Sequence, residues 1–109
     1  EVRGVLHCFT EDTDMAEQAM AMGFYISISG IVTFRNAEAL RDTVRALPVA
    51  RLLTETDSPC LAPVPFRGKP NQPRPVAPVA GCLSTLLPSI PISRPLALAT
   101  ALVITSLAV

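Results

Sequence analysis

The chain has 109 residues, a formal net charge of zero, and a composition that is 50% hydrophobic. That length suits one small domain with enough apolar material for a core. Neutrality excludes a general polyanion binder, whose affinity comes from broad basic surfaces, but not a nuclease that holds its substrate locally. The average hides two compositions. Every acidic residue lies at or before Asp57, whereas Pro48 alone precedes a proline-rich run beginning at Pro59.

The chain opens on Glu1, and Glu1–Gly4 has no apolar run behind it, so no signal peptide is expected. Cys8, Cys60 and Cys82 are odd in number and form no CxxC pair. They read as reduced thiols of a cytoplasmic protein rather than a disulfide framework.

Val2–Phe9 is apolar and β-rich, as a buried strand is. Thr10 and the acidic side chains through Asp14 favour a helix N-terminus, where orphan N–H groups and the helix dipole attract negative charge. Met15, Ala16, Ala19 and Met20 recur at helical spacing as a core stripe, and Gly23 is a natural stop. Phe24–Gly30 alternates, with Tyr25, Ser27 and Ser29 on one face and Phe24, Ile26 and Ile28 on the other. Arg35–Leu47 predicts a second helix with Ala37, Leu40, Val44 and Leu47 as its apolar stripe. Its like-charged i,i+4 pairs are offset by opposite charges at i,i+3, which reads as a solvated face. Pro48 ends it, and Arg51–Thr56 predicts a third strand. This β-α-β-α-β order with short connections indicates an α/β fold with a parallel sheet covered by helices. Three strands alone leave sheet edges and one apolar face uncovered.

Polar groups fall late in these strands: His7 in the first, Ser29 in the second, Glu55 and Asp57 in the third. Active sites of parallel sheets and barrels sit at the carboxyl ends of the strands. Alternation puts Val5 and His7 on one face, and Leu53, Glu55 and Asp57 on one face, so His7 and Asp57 are expected to converge. An imidazole and a carboxylate on a shared rim suit a divalent ion. Plainer readings exist for each residue. A lone His after an apolar strand is commonly a satisfied core or loop histidine, and Asp57-Ser58-Pro59 also suits an Asx turn. Glu55 also suits a structural ion pair, and Arg67-Gly68-Lys69-Pro70-Asn71 a solvated turn.

Four segments in order carry a family resemblance. Gly4-Val5-Leu6-His7-Cys8-Phe9-Thr10, Gly23-Phe24-Tyr25-Ile26-Ser27-Ile28-Ser29-Gly30-Ile31-Val32-Thr33-Phe34, Leu52-Leu53-Thr54-Glu55-Thr56-Asp57-Ser58-Pro59 and Ala62–Pro73 resemble successive motifs of the TatD family of metal-dependent deoxyribonucleases. The resemblance implies a partial (β/α)8 TIM-type barrel of the amidohydrolase kind, binding a divalent metal (Mg, Zn or Mn) at its carboxyl rim. It implies hydrolysis of phosphodiester bonds in DNA, with His7 and Asp57 as metal ligands. Asp57 is also the implied base for the attacking water, with Glu55 in a supporting catalytic role. Arg67, Lys69 and Asn71 are the implied substrate-binding residues. The family's opening H-x-H pair, a glutamate ligand and a further histidine have no counterpart here. Cys60 stands where the family usually has a bulky residue. A non-catalytic interaction module and an inactive translated gene fragment therefore remain alternative readings, and the barrel's missing N-terminal half is the partner expected to complete the site.

The motif match stops at Pro73, which divides residues 1–73 from a Pro/Ala/Leu-rich tail, 74–109, expected to be irregular or disordered. Pro75, Pro78, Pro88, Pro91 and Pro95 are expected to break most helices there. The bias resembles a GC-rich gene read out of frame, an expectation that the nucleotide sequence checks. Leu96–Val109 is apolar but shorter than the ~20 residues of a membrane span, so no membrane partner is expected.

Overall fold

A computed structural model describes residues 3–57, 60–72 and 76–87. The elements run β1 (Gly4–Leu6), α1 (Thr13–Ala21), β2 (Phe24–Ile28), α2 (Glu38–Ala46), β3 (Leu52–Thr54) and α3 (Val76–Leu86). A 3-10 turn over Gly30–Thr33 follows β2, and another over Val49–Arg51 leads into β3. The three strands form one parallel sheet in the order β1-β2-β3. The expected alternation and sheet are therefore present, as three strands of a partial barrel.

Boundaries differ from the sequence reading for local reasons. Strand β1 stops at Leu6, short of Phe9, because Cys8 takes a left-handed backbone (φ 50) that no strand accommodates. Asp12, not Thr10, caps α1, accepting the Met15 amide at 2.9 Å. Helix α2 starts at Glu38 because the Ala37 amide is already turned onto the Phe34 carbonyl at 3.1 Å. It ends where expected. Leu47 is extended, as the residue before a proline must be.

The helix-facing side of the sheet is the core. Ile26 and Ile28 of β2 are fully buried, with Leu52 of β3, against Ala16 and Ala19 of α1 and Leu40 and Val44 of α2. Each buried Leu, Ile or Val is worth about 1.5–3 kcal/mol relative to exposure. The alanines let α1 approach β2 closely. Met15 is exposed, contrary to its place in the predicted stripe, because it lies on the solvent side of α1, whereas Met20 packs on the core. Thr13 of α1 donates to Thr43 of α2 at 3.1 Å, which ties the two helices together.

Helix α3 is the main departure from the expected irregular tail. Val79, Leu83 and Leu87 recur at helical spacing and are buried in the same core, against α2, β3 and the turn after β2. The prolines do not prevent it because they flank its middle. Pro78 lies in the first turn, where an N–H has no intrahelical partner, and Pro88 follows the helix in the chain. The apolar segment Leu96–Val109 lies outside the described residues. Among those described, no helix is long and apolar enough to cross a membrane.

Candidate metal centre

The opposite face of the sheet carries the polar side chains. Register pairs Val5 with Tyr25 and Ser27 with Leu53, so His7, Ser27, Ser29, Glu55 and Asp57 fall on one side by alternation. The strand tips stay coupled past their ends. The Phe9 amide donates to the Ser27 carbonyl, and the Glu55 amide to the Ile28 carbonyl, each at 3.0 Å. This extension fixes where His7, Glu55 and Asp57 leave the sheet.

The three side chains meet. His7 Nε2 lies 3.1 Å from Asp57 Oδ1 and 3.3 Å from Glu55 Oε2, and donor atoms of all three residues lie within 4.8 Å of one another. The convergence of His7 and Asp57 expected from alternation is therefore present, and Glu55 joins them.

The two carboxylates have different surroundings. Glu55 is fully buried, and both of its oxygens are engaged: Oε1 accepts the Cys8 amide and Oε2 accepts the Ser27 hydroxyl, each at 2.6 Å. Burial pushes its carboxyl above the usual carboxylate range, opposed by the Ser27 hydrogen bond, the His7 charge and the Cys8 amide. Asp57 is also buried, but its Oδ2 has no hydrogen-bond partner. An unsatisfied buried carboxylate oxygen is costly. With an imidazole nitrogen beside it, it suits a divalent cation. His7 is accessible, its side chain 37% exposed, so the centre opens to solvent on that side. The donor set of His7, Glu55 and Asp57 fits a divalent ion.

Ser27 and the Cys8 amide were not singled out from the sequence as partners of Glu55. The Ser27 signal lay in its face assignment, but only the register places it beside the third strand. The Cys8 thiol approaches the Ser29 hydroxyl at 3.5 Å, and burial pushes it up to about 11, so it is a neutral thiol at neutral pH.

The expected substrate-binding residues lie in the loop after β3. The Arg67 guanidinium sits 4.0 Å from the centroid of the Phe34 ring, and Lys69 is exposed. Asn71 turns inward. Its Nδ2 donates to the Cys60 carbonyl and its Oδ1 accepts the Gln72 amide, each at 2.9 Å, bracing the loop from within. The loop also locks onto the turn after β2. The Val64 amide donates to Thr33 Oγ1, which itself donates to the Gly30 carbonyl. A Cβ at Gly30 would lie 2.4 Å from the Leu61 carbonyl oxygen, so this approach requires glycine.

The parallel α/β arc, with a histidine–carboxylate cluster at its strand ends that could hold a metal ion, has the form of part of a TIM-type barrel. The TatD related DNase family matches residues 1–94, and the chain belongs to that family. The match includes α3, beyond the Pro73 at which the motif resemblance ends. The metal-dependent hydrolase YcfH of Escherichia coli K12 is 64% identical over 83 residues, covering 76% of this chain and 31% of that protein. YabD of Bacillus subtilis, also a metal-dependent hydrolase by name, is 47% identical over 85 residues, covering 78% and 33%. Among solved structures, YjjV, a TatD homologue from Escherichia coli, aligns with a TM-score of 0.77 at 35% identity, covering 84% of this chain and 35% of that one. A TatD family hydrolase from Entamoeba histolytica shares the fold at a TM-score of 0.66. The chain spans about a third of the length of these relatives.

Proposed function

We propose that this chain carries part of the metal centre of a TatD-like deoxyribonuclease that hydrolyses DNA phosphodiester bonds in the cytoplasm. The observation that carries the reading is the buried, unpartnered Asp57 Oδ2 beside His7 Nε2. The names of the relatives and the family's description support the hydrolase and DNA parts of the proposal. His7 and Asp57 hold the divalent ion, which is Mg, Zn or Mn. A bound ion supplies Lewis-acid activation of water and of the phosphoryl oxygen.

The chain's own groups supply the rest. Asp57 would take the proton from a water as that water attacks phosphorus, the P–O ester bond would break as the new bond forms, and the leaving oxygen would take a proton from solvent. Glu55, fixed by Ser27 and the Cys8 amide, supports the site from beside His7 Nε2 and adds negative charge that favours a cation. Arg67 and Lys69 meet substrate phosphates, and Asn71 keeps their loop folded. His7 and Asp57 are fewer protein ligands than catalytic zinc sites usually have. The isolated chain therefore binds metal but turns over DNA weakly or not at all.

The test is Mn2+ titration of the purified chain, read by calorimetry, with DNA hydrolysis followed in parallel. Stoichiometric Mn2+ uptake that weakens at least tenfold in Asp57→Asn is the expected result. An Asp57→Asn chain that binds Mn2+ like the parent would sink the assignment. Robust hydrolysis by the parent would overturn the inactivity.

A further inference from the structure

The rim around the metal centre is electrically lopsided, although the whole chain is neutral. The loop leaving β1 carries Glu11 and Asp12, both exposed. The connection leaving β2 carries exposed Arg35 and no acidic residue. The loop leaving β3 carries exposed Arg67 and Lys69, and no acidic residue follows Asp57 anywhere in the chain. The sheet order β1-β2-β3 therefore puts anions on one flank of the centre and cations on the other two strand exits.

The cationic flank also presents an aromatic ring. Phe66 is 39% exposed, although a phenyl ring favours burial. Its position is built rather than loose. The Phe66 amide is turned onto the Pro63 carbonyl at 2.7 Å, and the Lys69 amide onto the Phe66 carbonyl at 3.2 Å. Gly68 has φ +80 with open space around it, as the third residue of a type II turn requires. Phe66 and Lys69 are thus the two ends of one tight turn, with Arg67 between them laid over Phe34. The Val64–Thr33 hydrogen bond fastens this turn to the β2 exit.

A solvent-facing ring flanked by cations, with no carboxylate nearby in sequence, has the chemistry of a site for an unpaired nucleotide strand. Bases stack on the ring, and the backbone follows the positive groove. Resting on the DNA reading above, we propose that the turn Phe66–Lys69 grips a single-stranded segment of the substrate. Phe66 stacks on an unpaired base and Lys69, Arg67 and Arg35 neutralise its phosphates. The strand enters over the exits of β2 and β3, and the acidic exit of β1 is the far side.

The test is fluorescence anisotropy of the full chain with a labelled oligothymidylate and with a duplex of the same length, in EDTA, across a salt series. The parent is expected to bind the oligothymidylate with a clear salt dependence. Phe66→Ala should weaken that binding about fivefold or more and leave the duplex unaffected. Lys69→Gln should reduce the log–log salt slope by about 0.7, the value for one phosphate contact on a single strand. Glu11→Gln should leave the slope unchanged. A parent that does not bind, a Phe66→Ala chain that binds normally, or a slope unchanged in Lys69→Gln overturns the proposal. Strand binding by a chain that takes up no Mn2+ would remove the hydrolase reading and leave the gripping turn standing. Mn2+ uptake without strand binding would do the reverse.

Discussion

Glu55 illustrates how one buried side chain can tie the ends of several strands together. Both of its oxygens are engaged, by a hydroxyl from β2 and an amide from the turn after β1, so three strands converge on one carboxylate. Removing a donor leaves a buried anion short of a partner. Hydrogen bonds to charged groups contribute ~1.5–3 kcal/mol, so Ser27→Ala should destabilise by about that amount in urea unfolding. Outer-sphere partners of metal centres typically change metal affinity about 10–100-fold, so Mn2+ affinity should fall within that range in the same variant. A stable Ser27→Ala chain with normal Mn2+ affinity would show that Glu55 does not support the site. The cysteines give a second prediction at this scale. Cys60 is exposed, while Cys8 and Cys82 are half-buried with thiols pushed up by burial, Cys8 to about 11. A raised thiol pKa means fewer thiolates, and the thiolate is the nucleophile. Iodoacetamide at pH 8 should therefore label Cys60 first by mass spectrometry, and Cys8 only as the pH approaches its own value. Fast labelling of Cys8 would contradict its burial.

At the scale of elements, the connection after β2 depends on α2. Arg41 was part of a face read as solvated, but its side chain is only 16% exposed. Its Nη1 donates to the carbonyls of Val32 and Phe34, at 2.9 and 2.7 Å. Glu38 holds the guanidinium from outside at 2.8 Å and Arg45 pairs with Asp42, the two contacts that the i,i+3 charges suggested, and Arg45 also reaches Glu38 seven residues before it. This single side chain closes the turn that carries Thr33, Phe34 and Gly30, and through them the loop after β3. Arg41→Met keeps much of the stem's packing but removes two charge-assisted hydrogen bonds, leaving the Phe34 carbonyl with the Ala37 amide alone and the Val32 carbonyl with the Cys82 thiol alone. It should cost ~1–3 kcal/mol and raise hydrogen exchange at Val64, whose amide is held by Thr33. An unchanged exchange rate at Val64 would separate the two loops. The element types were legible because apolar periodicity and the capping and stop residues pointed the same way. His7, Glu55 and Asp57 were legible because alternation aimed them at one rim and the motif strings singled them out. Ser27 as a partner of Glu55 was not, because that contact depends on register between strands distant in sequence. Nor was Arg41, because a charged residue at an amphipathic boundary gives no sign that carbonyls lie within its reach.

For the molecule as a whole, the question is whether the chain past Pro73 is part of the folding unit. Composition argued for a break, since acidic and aromatic residues vanish and prolines crowd in. A helix forms there nonetheless, because its prolines stand at its margins, and one apolar stripe suffices to seat it. Val79 and Leu83 are fully buried, and Leu83 lies in the same cluster as Val32 and Val44. Cys82 adds a thiol contact to the Val32 carbonyl at 3.8 Å. If α3 were an accidental apolar scrap, shortening its buried residues would cost little. If it completes the core, Leu83→Ala leaves a cavity, for which ~2–5 kcal/mol is typical. That is a large share of the ~5–15 kcal/mol that holds a small domain together. Truncation after Gln72 would uncover Val32 and Val44 together, so it should abolish cooperative unfolding and expose a dye-binding apolar surface. The substitution and the truncation must agree. A Leu83→Ala chain that unfolds at the parent's urea midpoint would place the structural boundary at Pro73, where the motifs end, despite the helix beyond it.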